Sequence, residues 1–175
     1  MCIRDRSRCL SLILLTSIGC KSTIHQEYGF EPIEATLGDL SMHANLRGTD
    51  KIDENRNSTR SSPYELWLSI ESDVLADNNE CYVKLENIKI ENTAEGVSLL
   101  VSSSEKIKFS NKNNASKAFK IFKELEIPYE HVNLEMSMSL GLGCTDNDFS
   151  ELVSVQFLKD YSERKIGLWN KLLGI

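Results

Sequence analysis

The sequence predicts a mainly β fold built as a single domain. Apolar and polar residues alternate over several short stretches, which is typical of half-buried strands. Clusters of Asn, Asp, Ser and Gly separate these stretches and mark turns. The chain has 175 residues, of which 41% are hydrophobic, so it is long enough to bury a core of its own. No repeat of fixed period is visible.

The first clear alternation runs from Leu40 to Arg47 and predicts a strand with one buried face. The segment from Gly48 to Pro63 consists mostly of polar residues and is interpreted as a long exposed loop. A second strand is predicted from Tyr64 to Ile70. Because Trp67 falls on the polar face of that strand, we expect the N-terminal segment or a partner to cover it.

A third strand is predicted to begin at Cys81 and to change phase along its length. Its apolar residues occupy one parity before Asn87 and the other parity after it. A side-chain period of two cannot change phase without an irregularity, so a bulge or bend is expected near Asn87. Two further short strands are predicted around 97–101 and 107–109, with a polar break between them.

The segment from Ala115 to Ile127 fits both a helical stripe and a strand with Lys123 as its one mismatch. We favour a strand because the neighbouring elements are strands, and the helix stays open as an alternative. The clearest alternation, over 132–142, predicts a central strand with one face in the core. A last strand is expected from Leu152 to Leu158.

About seven strands at this spacing predict an antiparallel β-sandwich of immunoglobulin-like type. The stretch from Ser162 to Ile175 is unusually apolar for a chain end. We expect it to pack on the domain as a short helix or strand. The alternative is a tail that docks on a partner or touches a membrane, with Trp169 as its anchor.

A basic and then apolar leader precedes Cys20. Three arginines come before an uninterrupted run of ten apolar and small residues, Cys9 to Ile18. A membrane-spanning helix needs about 20 apolar residues, so the run is interpreted as part of a signal peptide. Ser17, Ile18 and Gly19 lead up to Cys20 in an arrangement that resembles the lipobox of bacterial lipoproteins. Ser17 departs from the usual Leu at its position.

This resemblance implies that the chain is cut before Cys20 and that both the thiol and the new amino terminus of Cys20 are acylated, with palmitate among the chains. Several acyl chains hold a protein firmly on a membrane without a spanning segment. By the same resemblance, Lys21 after the cysteine implies transfer to the outer membrane, with the domain facing the periplasm or the cell surface. The predicted organisation is therefore a signal peptide at 1–19, a lipidated cysteine and tether at 20–39, and a β-sandwich domain at 40–175. The first six residues, MCIRDR, resemble a spurious lead-in of unrelated gene models, and no prediction rests on them.

The charge balance excludes some classes of partner. The formal net charge of the whole chain is −6. Removal of residues 1–19 takes away three arginines and one aspartate, so the net charge becomes −8. An acidic surface argues against nucleic acid as a partner and against electrostatic docking on anionic lipid.

Cys81 and Cys144 are the two cysteines that would remain free after processing and lipidation. In an oxidising compartment two such thiols are expected to form a disulfide. In the predicted topology their strands run antiparallel, which places the start of one beside the end of the other. Two separate buried thiols are the alternative.

Two acidic loops are predicted to meet at one end of the sandwich, SDVLADNNE at 72–80 and CTDNDFSE at 144–151. Their carboxylates could hold Ca²⁺, which takes six to eight oxygen ligands. The candidate ligands are Asp77, Asp146 and Asp148. The spacing is not that of an EF-hand, and solvated acidic loops are the simpler interpretation, so no cofactor is otherwise predicted.

No catalytic motif is visible in the sequence. His25, His43 and His131 are far apart and lack metal-ligand spacing, and neither a nucleophile elbow nor a glycine-rich phosphate loop is present. We therefore predict that the protein is not an enzyme. The expected function is that of a non-catalytic interaction or envelope-assembly module that binds another envelope protein. A module that binds carbohydrate or another small ligand is the alternative, and an exposed aromatic platform including Trp67 would favour it.

Overall fold

The computed structural model describes residues 22–32, 35–37, 40–72, 81–92, 98–112, 115–129, 133–144 and 147–167. Ten strands and no helix lie in these ranges. The strands are β1 (Thr23–Pro32), β2 (Ala35–Leu37), β3 (Leu40–Ile52), β4 (Ser58–Ser72), β5 (Tyr82–Asn92), β6 (Ser98–Lys108), β7 (Ser110–Lys112), β8 (Ala115–Leu125), β9 (Asn133–Cys144) and β10 (Asn147–Ile166).

All ten strands belong to one sheet with the order β6–β5–β9–β10–β1–β3–β4–β8–β7, and β2 pairs with the start of β3. Neighbouring strands along this order run antiparallel. β1 also makes a short parallel pairing with β4, in which 25–27 face 58–60. The prediction of a mainly antiparallel β fold is therefore confirmed.

The strand pairing does not show the two separate sheets of the predicted immunoglobulin-like sandwich. β10 is 20 residues long. Its first part pairs with β9 and its last part pairs with β1, so it joins two groups of strands into one sheet. Buried side chains from β5, β9 and β10 and from β3, β4 and β8 form one apolar cluster. The sheet therefore curls around a single core.

The core follows the alternation of the sequence most closely in β9. Leu134, Met136, Met138 and Leu140 are all buried, while the residues between them point to the outer face. β9 lies between β5 and β10, which confirms the prediction of a central strand. The two methionines fill space in this core, where their flexible side chains pack well.

The predicted irregularity near Asn87 is present. Asn87 adopts a φ of 53°, and the register of β5 shifts between Ile88 and Lys89 against β6 and between Glu86 and Lys89 against β9. Because of this bulge, Leu85 and Ile88 are both fully buried although they are three positions apart, an odd step that would place them on opposite faces of a regular strand. The phase change in the sequence therefore predicted a real feature of the strand.

The segment predicted as a tether contains a strand. β1, at Thr23–Pro32, pairs with β10 along its whole length. The folded domain therefore begins at Thr23 or earlier in the chain and not at residue 40. Among the residues of β1 whose side chains the structure describes, Thr23 and Phe30 are the buried ones. The alternation of apolar and polar residues is therefore weak in this part of the sequence.

The predicted loop from Gly48 to Pro63 is wrong, because this segment forms a β-hairpin. β3 continues to Ile52 and β4 begins at Ser58, and the two strands pair out to the turn. In that turn the Asn57 amide donates to the Asp53 carboxylate at 2.8 Å. The residues of this hairpin are polar because they extend beyond the core.

The segment from Ala115 to Leu125 is a strand, as favoured from the sequence, and it pairs with β4. At the other end of the chain, β10 extends to Ile166 and so includes residues that the sequence assigned to a terminal stretch. Trp169 and the predicted packing of the last residues lie outside the described residues.

Gly48 is expected to be intolerant of alanine. A Cβ atom at this position would lie 2.8 Å from the Ser61 nitrogen and 2.9 Å from the Ser61 oxygen, so the backbone of the hairpin would have to move. We expect Gly48→Ala to lower the free energy of unfolding in urea by about 1–3 kcal/mol, the usual effect of overpacking. Gly29→Ala is the control, because its Cβ would lie 3.5 Å from the Asp160 oxygen, an ordinary contact. Equal free energies of unfolding for Gly48→Ala and Gly29→Ala would contradict the close approach of Gly48 to the Ser61 backbone.

Candidate interaction surface

The curled sheet leaves two strand edges facing each other without pairing. β6 pairs with β5 along one edge, and β8 pairs with β4 along one edge and with β7 only at 115–117. Within the part of the chain that the structure describes, no strand pairing joins β6 to β8. We call the facing stretches, 98–105 of β6 and 118–125 of β8, the seam.

Two irregularities lie beside the seam. The bulge at Asn87 is on the β5 side, where the pairing with β6 shifts register. On the other side Glu124 has a φ of 59°, and the pairing of β4 with β8 shifts between Tyr64 and Leu66. Bulges bend a strand and increase its twist. The strands next to both edges of the seam are therefore locally irregular.

An ion pair crosses the narrow end of the seam. Lys120 Nζ lies 2.9 Å from Glu105 Oε2. Both side chains sit in rows that face the core, because Lys120 is opposite Leu68 and Glu105 is opposite Leu85, and both leucines are fully buried. Charged residues that point inward from an edge are one way in which proteins protect unpaired strands.

Apolar side chains line the part of the seam beyond the ion pair. On its inner side Phe122 and Leu125 are buried, and Leu99 and Val101 are partly buried against the core. On the outer side Leu100 is 56% exposed, and Phe119, which precedes Lys120 at the other end of the seam, is 49% exposed. Large apolar side chains exposed beside a free strand edge are a common mark of an interaction surface.

Trp67, a predicted binding residue, lies near this surface on β4. Its indole N–H donates to Glu65 Oε2 at 3.0 Å, and its ring meets the Phe119 ring edge-on with the centroids 5.6 Å apart. Trp67 is half-buried, and Phe119 covers part of it. The structure does not bring Trp67 together with Trp169, because Trp169 lies outside the described residues.

A polar cleft of about 490 Å³ lies between β1, β4, β3 and β10. At its centre Arg60 makes two hydrogen bonds to Asp50, at 2.8 and 3.1 Å, and one to Glu27 at 2.9 Å. Beside it His25 and Ser58 form a hydrogen bond between their side chains. These contacts hold the tip of the β3–β4 hairpin against β1. Sequence reasoning missed them because 33 residues separate Glu27 from Arg60 and no local pattern marks the pair.

The Asp50 carboxylate is expected to make stability depend on acid pH. The hydrogen bonds from Arg60 hold the pKa of Asp50 below its ordinary value of 3.8. Asp50 therefore stabilises the fold above that value, and its contribution is lost as the pH falls through the lowered pKa. We expect Asp50→Asn to be less stable than the parent protein in urea at pH 6, with the difference shrinking below about pH 4.

The control for this prediction is Glu54→Gln, which removes an exposed carboxylate from the turn of the same hairpin. Its free energy of unfolding at pH 6 is expected to match that of the parent protein. Because Asp50 is half exposed, the effect is expected to be small. A difference between Asp50→Asn and the parent protein that persists undiminished at pH 2 would contradict the assignment.

Three tyrosines form a second aromatic group where β1 and β10 pair. Tyr28 meets Tyr129 edge-on at 5.0 Å and is tilted against Tyr161 at 5.1 Å. Tyr161 is 47% exposed, and its hydroxyl donates to Glu163 at 3.0 Å. Gln26 also donates to Glu163, at 3.2 Å. An exposed aromatic ring thus lies beside an amide and a carboxylate.

The predicted calcium ligands fall largely outside the described residues. This applies to Asp77, to Asp146 and to the side chain of Asp148. Among the residues that the structure describes, no group of three or more His, Cys, Asp or Glu side chains could hold a metal ion. The calcium site stays a prediction.

Cys81 and Cys144 form a disulfide, with their Cα atoms 4.4 Å apart. The bond joins the start of β5 to the end of β9, which are antiparallel neighbours, as the predicted topology required. Cys20 lies outside the described residues, as does His131. His43 lies on the exposed face of β3.

Comparison with protein-family models, curated protein sequences and solved structures gives no match for this chain. In the described ranges, no helix is long and apolar enough to cross a membrane. The function is therefore argued from the geometry of the chain itself.

Proposed function

We propose that this chain is a lipoprotein of the bacterial cell envelope whose β domain binds another envelope protein without catalysing a reaction. The observation that supports the binding role best is the seam, with its unpaired edges and the exposed side chains of Leu100 and Phe119. Proteins usually pair, cover or charge such edges, since an open edge recruits other chains. The inward ion pair protects one end of the seam and leaves the apolar part accessible.

The proposed anchor is the acylated Cys20, which the leader sequence supports through its resemblance to a lipobox. Cys20→Ser is expected to move the protein from the membrane fraction to the soluble fraction of the native host. Globomycin is expected to block processing of the parent protein. An unmodified Cys20 thiol in the mass spectrum of the mature protein would overturn the proposed anchor.

Binding at the seam can be tested by photo-crosslinking in the native envelope. A photoreactive phenylalanine replaces Ser103, which is exposed on β6, or Gln156, which is exposed on the outer face of β10. We expect a discrete crosslinked product from position 103 and none from position 156. Equal labelling at both positions, or no product from position 103, would contradict a binding role for the seam.

A second candidate function, binding of carbohydrate, is favoured by the tyrosine group. Aromatic faces stack on the apolar faces of sugar rings, and Gln26 and Glu163 would supply hydrogen bonds beside Tyr161. The sequence placed this platform at Trp67, whereas Tyr161 is the more exposed ring. Maltohexaose or chitohexaose binding in calorimetry that is lost in Tyr161→Ala would support this function.

We further propose that the strands form an immunoglobulin-like sandwich, which is a more specific arrangement than a mainly antiparallel β fold. The two groups of strands that β10 joins share one core, as the two layers of a sandwich do. An experimental structure that separates these groups into two sheets would support the sandwich. A continuous sheet would rule it out.

A further inference from the structure

We propose that the partner enters the seam as an extended strand and adds to the sheet between β6 and β8. This inference rests on the proposed function, because it names the form in which the partner protein is bound. Backbone N–H and C=O groups along a free edge pair with another strand in preference to a helix or a flat surface. The seam offers such groups from both sides, so one inserted strand would satisfy two edges together.

The direction of the inserted strand follows from the topology. Successive strands from β6 to β8 alternate in direction along the sheet, so β6 and β8 run opposite to each other. The inserted strand would therefore pair antiparallel with one of them and parallel with the other. The sheet already contains this arrangement, since β1 is antiparallel to β10 and parallel to β4.

The length of the seam limits the inserted segment. The ion pair between Lys120 and Glu105 closes the narrow end, which leaves residues 98–104 of β6 and 121–125 of β8. At about 3.3 Å per residue, these edges accommodate a segment of about five to seven residues. A longer partner would have to leave the sheet at the ion pair.

The side chains of the seam specify an alternating pattern in the partner. Leu99, Val101, Phe122 and Leu125 line the inner side, so every second residue of the inserted strand would be apolar and face the core. The residues between them would point outward, as Leu100 does. The partner is therefore expected to carry a short segment of apolar residues at every second position.

The test uses the full-length protein in detergent and a capped eight-residue peptide that alternates valine with threonine. The same peptide with an N-methyl group on every amide is the control, because it keeps the side chains and loses the backbone donors of both edges. We expect the unmodified peptide at millimolar concentration to slow amide hydrogen exchange at least tenfold in 98–104 and 121–125. Exchange in β9 is expected to stay unchanged, and the N-methylated peptide is expected to protect neither edge.

Two variants locate the effect within the seam. Val101→Glu places a charge on the inner side and is expected to abolish the protection. Leu152→Glu places the same charge on the exposed face of β10, away from the seam, and is expected to retain it. Protection of neither edge by the unmodified peptide, or equal protection by the N-methylated peptide, would overturn the inference, and the peptide comparison stands even where Val101→Glu does not fold.

The outcomes separate this inference from the proposed function. A crosslink from position 103 without peptide protection would mean that the partner binds the seam in another form, so strand insertion alone would fail. If position 103 yields no crosslink in the native envelope, the binding role of the seam fails as well.

Discussion

Replacing Phe157 with alanine is expected to lower the free energy of unfolding by about 3–5 kcal/mol. Phe157 is fully buried on β10, close to the point where this strand passes from β9 to β1. Truncation of its ring removes apolar contacts and leaves a cavity that the surrounding strands cannot fill completely. Urea denaturation followed by circular dichroism measures the change.

The adjacent residue provides a matched control. Leu158 is on the same strand but points outward and is 44% exposed. Leu158→Ala is expected to change the free energy of unfolding by less than about 1 kcal/mol, since little apolar surface would be lost. If the two variants were equally stable, Phe157 could not be part of a closely packed core.

Removing the disulfide is expected to have an effect of similar size. The bond between Cys81 and Cys144 closes a loop of 63 residues, and the chain-entropy estimate for such a loop is about 4 kcal/mol. The variant that carries both Cys81→Ala and Cys144→Ala is therefore expected to unfold at a much lower urea concentration than the oxidised parent protein.

Reduction serves as the control for this second prediction. Dithiothreitol is expected to lower the midpoint of the parent protein towards that of the double variant and to leave the double variant unchanged. An oxidised parent protein whose midpoint does not respond to dithiothreitol would show that the bond contributes nothing to stability.

The strands that the sequence predicted correctly are those whose whole length lies over the core. β9 is the clearest case, because each inward residue is apolar and each outward residue is polar or small. The bulge at Asn87 was also predictable, because burial on both sides of it forced the apolar residues to change parity. The periodicity of apolar residues in a sequence reflects which side chains are buried. It therefore predicts the strands that have one face in the core.

The elements that the sequence missed are held by distant polar partners. The strand β1 pairs with β10, more than a hundred residues away, and its charged residue Glu27 binds Arg60. The hairpin between Gly48 and Pro63 likewise extends beyond the core. Neither segment has an apolar face along its full length, so composition made both resemble exposed linkers.

The candidate site was the least predictable part. Trp67, predicted as a binding residue, packs against Phe119 on β8, beside the seam. The seam itself depends on strand order, because β6 and β8 become opposite edges only when all the intervening strands are placed. Lys120 and Glu105 are 15 positions apart in the chain, and no local pattern marks the pair.

The position of β1 also sets how closely the domain can approach the lipid. Thr23 begins β1 only three residues after Cys20, and a fully extended chain spans at most about 3.6 Å per residue. With Cys20 acylated as proposed, the first residue of the sheet stays within about 11 Å of the lipid attachment point. The domain would then stay close to the bilayer and would bind only partners that are present at the bilayer surface.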